Sequence, residues 1–170
     1  MRRLQRWLAV RRQARGFSLI ELMISVALLA FLVLIAGPFT SAWSNGAKVR
    51  DAEGVLNQGI GRAKAAALRN RYGIVDSKPA ATLCLSDSNL LSLHEANDKD
   101  TPATCLTHSP WQAQLPASVS VTLTAEASTL SCLSFDNHAA LASASVPSGC
   151  SSSTALTLAA GGENVALVFN

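Results

Sequence analysis

Glu21 is an acidic side chain within an otherwise apolar stretch of the chain. From Phe17 to Ala36 the only other polar residues are Ser18 and Ser25. A helix over this stretch covers about 30 Å, which matches the hydrocarbon core of a bilayer. An ionised carboxylate at that depth is costly unless a cation pairs with it or it takes up a proton. We therefore expect Glu21 to be functional.

A second set of residues that could do chemistry is the four cysteines: Cys84, Cys105, Cys132 and Cys150. In an oxidising compartment an even number of cysteines predicts disulfides, and four cysteines allow three pairings. We favour Cys84–Cys105 and Cys132–Cys150, because each pair ties a predicted strand to the far end of the loop that follows it. The alternative is that Cys84 and Cys132, both in apolar segments, are buried free thiols.

The remaining polar side chains do not match a catalytic spacing. The three histidines are scattered, and the chain lacks the G-x-S-x-G, H-E-x-x-H and C-x-x-C patterns. Residues 97–100, Asn-Asp-Lys-Asp, offer oxygen ligands for a hard cation but lack the ligand count of an EF-hand loop. A solvated turn is the better interpretation. We expect no enzymatic activity, no cofactor and no metal.

The residues before the apolar stretch are strongly basic. Residues 1–16 contain six arginines and no acidic residue. This asymmetry predicts a cytoplasmic N-terminus, a single crossing of the inner membrane and a periplasmic C-terminal part. The small residue Gly16 precedes the apolar stretch, whereas an ordinary secretory signal is cut after it. Composition alone therefore favours an uncleaved signal anchor.

The residue order at this junction indicates a more specific segment. Residues 16–22, Gly-Phe-Ser-Leu-Ile-Glu-Leu, resemble the cleavage motif of type IV prepilins and type II secretion pseudopilins. The resemblance implies that prepilin peptidase cuts after Gly16 and methylates the new amine of Phe17. Glu21 is then the fifth mature residue, the position of the family's glutamate. Pro38 falls where many pilins have a helix-breaking proline, and it predicts a kink.

The new amine of Phe17 supplies the cation that Glu21 needs. Within one helix the two groups are poorly placed to meet, so we expect the amine of one subunit to pair with the carboxylate of a neighbour during assembly.

A helix followed by a β domain is predicted for the rest of the chain. Small and apolar residues recur at three- and four-residue steps from Thr40 to Tyr72, and Gly73 can end this helix. The recurring residues are Val49, Ala52, Leu56, Gly59/Ile60, Ala63 and Ala67. Strands are expected at 81–85, 119–123 and 130–135, with a hairpin of 156–158 and 165–169 around Gly161-Gly162. We expect 86–116 to be mostly loop and 143–153 to be a second loop.

The junction between helix and first strand carries a second resemblance. Residues 56–84, with Ala63, Ala66, Arg69 and the strand Thr82-Leu83-Cys84, are similar to the GspH/FimT family of minor pseudopilins and minor pilins. The family implies a long N-terminal helix packed on two β-sheets. The tryptophan-glycine motif of its mid-domain is not present here, where Trp111 stands alone.

The predicted fold is therefore α+β and type IV pilin-like, with a long N-terminal helix packed on a C-terminal antiparallel β domain. The expected divisions are a cytoplasmic leader at 1–16, a transmembrane and assembly helix at 17–38, its amphipathic continuation at 39–73, and a periplasmic β-rich head at 74–170.

We expect a minor pilin that takes part in initiation and assembly of a type IV pilus. Its expected partners are prepilin peptidase, other major and minor pilins or pseudopilins, and the inner-membrane assembly platform. The alternative is the H-type minor pseudopilin of a type II secretion system. A signal-anchored periplasmic binding domain and a DNA-uptake pilin are weaker alternatives. Residues 39–170 carry eight basic and ten acidic residues, which argues against nucleic acid as a partner.

Overall fold

The computed structural model describes residues 17–169, without the side chains of residues 36–39. The predicted leader, including Gly16, lies outside the described residues. The elements in chain order are α1 (Leu19–Arg69), β1 (Ala81–Leu85), β2 (Leu90–Glu95), β3 (Trp111–Gln114), β4 (Ser120–Leu123), β5 (Cys132–Phe135), β6 (Cys150–Ser151), β7 (Ala155–Ala160) and β8 (Glu163–Val168). The chain divides into two compact units, Met1–Phe39 and Thr40–Asn170.

In the second unit, α1 packs on the β-strands through the face that its sequence pattern predicts. The predicted residues of that stripe are buried, each with at most 4% of its surface exposed: Val49, Ala52, Leu56, Ile60, Ala63 and Ala67. They share one hydrophobic core with leucines of both sheets, including Leu83, Leu91 and Leu158. Three alanines in this stripe allow the helix to lie close to the sheets.

The β-strands form two sheets. The first has the order β3-β2-β1-β5-β6 and the second has the order β4-β7-β8. All described strand pairs are antiparallel except the short pair between β5 and β6. The prediction of an α+β, pilin-like fold with a helix on an antiparallel β domain is therefore confirmed, with one parallel pair that the sequence did not indicate.

Most of residues 86–116 lie outside regular elements, as predicted, but the segment also contains two strands that the sequence analysis did not predict, β2 and β3. The end of β2 is polar in sequence, yet His94 and Glu95 are buried. His94 Nδ1 lies 2.7 Å from the carbonyl oxygen of Thr107, and Glu95 accepts a hydrogen bond from Arg69. Partners distant in sequence thus satisfy side chains that are otherwise typical of a loop.

Two further boundaries differ from the prediction. The second predicted loop contains the two-residue strand β6, which pairs with β5 beside a disulfide. The helix ends at Arg69, three residues before the predicted end. Asn70 ends it by taking a positive φ of 39°. Its side-chain amide donates to the carbonyl of Ile74 and its side-chain oxygen accepts from the Ile74 N–H. With its positive φ, Asn70 performs the role that the prediction gave to Gly73.

The β7–β8 hairpin turns at Gly161 and Gly162, as predicted. Both glycines have positive φ angles, 54° and 97°. A two-residue turn with two positive φ angles matches the twist of the strands and favours glycine at both positions. Asn45 of α1 occupies the space that a Cβ atom at Gly161 would need. The turn therefore lies against the helix, and its sequence is fixed by both conformation and contact.

One disulfide links β1 to a loop, and a second links the neighbouring strands β5 and β6 of the first sheet. They join Cys84 to Cys105 and Cys132 to Cys150, the pairing that the sequence analysis favours. The described part of the chain has no free cysteine. Cys84, Cys132 and Cys150 lie side by side across β1, β5 and β6 in the strand register.

At Gly59, α1 lies close to the first sheet. A Cβ atom there would lie 2.7 Å from Leu91 Cδ2 and 3.4 Å from the Leu83 methyl groups, whereas nothing lies within 4 Å of one at Gly61. We expect Gly61→Ala to raise the free energy of unfolding by about 1 kcal/mol, because alanine favours the helix. Gly59→Ala adds a clash in a packed core, which costs about 1–3 kcal/mol. Unfolding of the two variants in detergent measures the difference, and an equal gain for both would contradict this packing.

The disulfide pairing is also testable. Non-reducing peptide mapping should show the Cys84–Cys105 and Cys132–Cys150 links and no free thiol. Replacing Cys84 and Cys105 by serine together should lower the free energy of unfolding by about 3 kcal/mol, because the loop they close is then unconstrained in the unfolded chain. A Cys84–Cys132 link would contradict the pairing, and these two residues are opposite each other in the β1–β5 register.

Candidate functional site: the N-terminal helix

Glu21 lies in the first turn of α1, which begins at Leu19. The first N–H groups of a helix have no intrahelical acceptor, and the helix dipole places partial positive charge there. An acidic side chain in this turn is therefore favourably placed. The Ser25 hydroxyl donates to the backbone carbonyl of Glu21 at 2.7 Å, which satisfies the hydroxyl within the helix. The carboxylate remains available to a group outside the helix.

The surface around Glu21 is apolar on every side of the helix. Large apolar side chains expose between 46% and 81% of their surface: Phe17, Leu19, Ile20, Leu22, Met23, Ile24, Val26, Leu28, Leu29, Phe31, Leu32, Val33, Leu34 and Ile35. A helix that is apolar all round belongs in a bilayer or in a protein core. In the described part of the chain, α1 is the helix that is long and apolar enough to cross a membrane.

The predicted site residues fall at different places relative to this helix. Phe17 is 81% exposed and precedes the first helical residue by two positions. Pro38 lies within the backbone span of α1, and its side chain is outside those described, so the kink stays a prediction. Gly16 lies outside the described residues. The cleavage site and the role of Glu21 are likewise still predictions.

The polar turn at residues 97–100 is exposed to solvent. The Asp98 carboxylate accepts hydrogen bonds from the backbone N–H groups of Asp100 and Thr101, each at 2.8 Å. These hydrogen bonds hold the pKa of Asp98 below its usual value, and the bond from the Asp100 N–H has the largest effect. Over residues 17–169, no three histidine, cysteine or acidic side chains are grouped as metal ligands.

Sequence reasoning missed a cluster of charged and aromatic side chains in the second unit. Arg69 pairs with the buried Glu95, and the Arg62 guanidinium lies 5.2 Å from the centroid of the Trp111 ring. The spacing of the two arginines could have indicated this cluster, since residues seven apart lie on the same helix face. Their counterparts lie in β2 and β3, which the sequence analysis assigned to a loop.

Comparison with known proteins bears on the N-terminal helix. The family model for the prokaryotic N-terminal methylation motif matches residues 11–37. This motif supports a type IV pilin-like protein. It implies processing by prepilin peptidase and assembly with other pilins, and together with the apolar helix it fits membrane anchoring and pilus assembly. Searches of curated proteins and of solved structures gave no match.

Processing of the N-terminus follows from the motif. The mature chain should begin with N-methylated Phe17, and Gly16→Leu should leave the full-length precursor, because a leucine side chain crowds the peptidase site. Mass spectrometry of the protein purified from membranes gives both answers. Gly46→Leu is a control for the substitution itself, since nothing lies within 4 Å of a Cβ atom there. Native protein that retains residues 1–16 would contradict processing.

Proposed function

We propose that this chain is a minor pilin that takes part in initiation and assembly of a type IV pilus, and that it belongs to the GspH/FimT family. The observation that carries the proposal is the methylation motif at the start of a helix whose apolar surface is exposed on all sides. The arrangement of the second unit supports it, since α1 packs there on two β-sheets, as the GspH/FimT resemblance implies.

The proposed route has two stages. The chain first sits in the inner membrane as a single-pass protein with a cytoplasmic N-terminus and a periplasmic head, supported by six arginines before the apolar helix. After cleavage the apolar helix leaves the bilayer for the interior of a filament, where the helices of neighbouring subunits cover it. The apolar surface is compatible with both surroundings, because lipid tails and packed helices both exclude water.

The proposed role is assembly and not catalysis. The head is a folded body that the helix carries, held by a single hydrophobic core and two disulfides. Disulfides suit a small domain outside the cytoplasm, because they stabilise it where reducing systems are absent.

Glu21 gives the assembly step its specificity in this proposal. The amine created at Phe17 and the carboxylate of Glu21 are opposite charges on an otherwise apolar surface. Each is costly to bury alone, and a neighbouring subunit supplies the missing partner. Charge pairing between subunits then sets the axial register of one helix against the next.

The test measures how much of the chain enters sheared filaments and how much remains in membranes. Glu21→Val should leave membrane insertion and cleavage unchanged but reduce incorporation at least about tenfold, because it leaves the neighbour's amine buried without a partner. Glu21→Asp should have a smaller effect, since it keeps the charge and shortens the reach. Ser25→Val is a matched control that removes a polar group one turn away. Equal incorporation of Glu21→Val and the wild type would overturn the pairing.

The H-type minor pseudopilin of a type II secretion system is the alternative function, because the N-terminal motif and the helix on two sheets serve both assemblies. The two functions differ in the machine that depends on the chain. Loss of surface pili on deletion supports the minor pilin, whereas loss of protein secretion with normal pili supports the pseudopilin.

A further inference from the structure

A groove lies between α1 and the edge of the first sheet. It has a volume of about 410 Å³, and its walls come from the helix on one side and from the start of β3 on the other. The lining residues are Arg62, Ala65, Ala66, Arg69, Leu93, Glu95, Pro110 and Trp111. The two alanines keep the helix wall low, and the start of the edge strand β3 forms the opposite wall.

Arg62 is the unneutralised charge of this groove. Its side chain is exposed and its guanidinium lies 5.2 Å from the Trp111 ring centroid. Within residues 17–169 Arg62 has no acidic side chain within ion-pair distance. A guanidinium held over an indole ring has lost part of its conformational freedom, and its remaining N–H groups are ready for a carboxylate. Arginine and tryptophan are also enriched among residues that dominate binding energy at interfaces.

The other charges that line the groove neutralise each other. Arg69 is 64% exposed in its side chain, whereas the Glu95 side chain is 8% exposed and accepts the hydrogen bond from Arg69. This pair supplies the polar end of the groove without adding net charge. Leu93, buried in β2, provides an apolar floor. The groove as a whole therefore presents one net positive charge beside an aromatic ring and an apolar surface.

We propose that this groove binds an extended acidic segment of a neighbouring pilin subunit, with a carboxylate of that segment paired to Arg62 beside Trp111. The inference rests on the proposed function, because it requires neighbouring subunits. Charge complementarity selects the occupant. The groove offers a cation, an aromatic ring and an apolar floor, and an extended segment with an acidic and an apolar side chain matches all three.

A protein segment fits this groove better than a nucleic acid does. A nucleic-acid site needs several cations along a phosphate backbone, whereas the groove has one unpaired arginine. Beyond Lys78 the chain has seven acidic residues and one basic residue, Lys99. Those acidic residues repel a polyanion more strongly than they repel a segment with one carboxylate.

Photo-cross-linking in assembled filaments tests this inference. A photoreactive amino acid in place of Ala65, which is exposed and lines the groove, should cross-link the full chain to an acidic segment of another pilin. Arg62→Glu should lower the cross-link yield at least about tenfold through charge repulsion. Reversing the cross-linked acidic residue of the partner to arginine should restore the yield. That rescue distinguishes an ion pair from a merely structural effect of Arg62.

Arg71→Glu is the matched control. Arg71 is also exposed and its guanidinium lies 5.5 Å from the ring centroid of Tyr72, but it does not line the groove. The cross-link yield should stay unchanged in this variant. Normal incorporation without a cross-link, a yield insensitive to Arg62→Glu, or cross-linking to nucleic acid would overturn the groove while leaving the proposed function intact. Absence of the wild-type chain from filaments would overturn both the groove proposal and the proposed function.

Discussion

The apolar surface from Phe17 to Ile35 is the constraint on which the rest of this protein depends. Each large apolar side chain of that segment is about half exposed or more in the isolated chain. Because apolar surface in water is unfavourable, this segment needs apolar surroundings. A bilayer and a bundle of like helices both satisfy this surface. Neither satisfies the carboxylate of Glu21, which needs a cation or a proton. In our proposal, cleavage before Phe17 supplies such a cation, because it creates an amine there. A helix with this apolar surface is thus stable in a membrane. In the proposed assembly, its acidic side chain also pairs with a cation on a neighbouring subunit.

The second unit meets a different requirement, since it must be stable in water with a modest core. Its helix buries small residues, among them Ala52, Ala63 and Ala67, which contribute less hydrophobic free energy than leucines in the same places. In return the helix lies close to the first sheet, with Gly59 against Leu91. Two disulfides offset the small core by restricting the unfolded chain. The helix surface that remains outside this core carries Arg62, and in our proposal this surface recognises a neighbouring subunit.

The sequence predicted those parts of the fold that follow from a local pattern of apolar residues or from a local turn. The buried stripe of α1, strand β1 and the turn at Gly161-Gly162 agree with the sequence because each follows from a repeat or from a conformational requirement. Strand β2 was missed because groups elsewhere in the chain satisfy its polar residues: Arg69 satisfies Glu95, and the Thr107 carbonyl satisfies His94. In β3, the Gln114 side chain likewise donates to the Ser88 carbonyl. The groove around Arg62 was missed for the same reason, since Trp111 lies in β3. The helix end was misplaced because Asn70 takes the positive φ that was expected of Gly73, and its side chain bonds to Ile74. Tertiary partners, which no local pattern contains, decided the strands and the groove, whereas the helix end depends on a local contact four residues away.

The central claim is that this chain is needed to start a type IV pilus, and the most direct measurement is a count of surface pili per cell by electron microscopy. The comparison is between cells that lack the chain, the same cells supplied with it again, and the parent strain, with secreted protein quantified in all three. We predict that cells without the chain have few or no pili, that supplying the chain restores the parental number, and that secretion is unchanged throughout. A parental number of pili in cells that lack the chain would contradict this account.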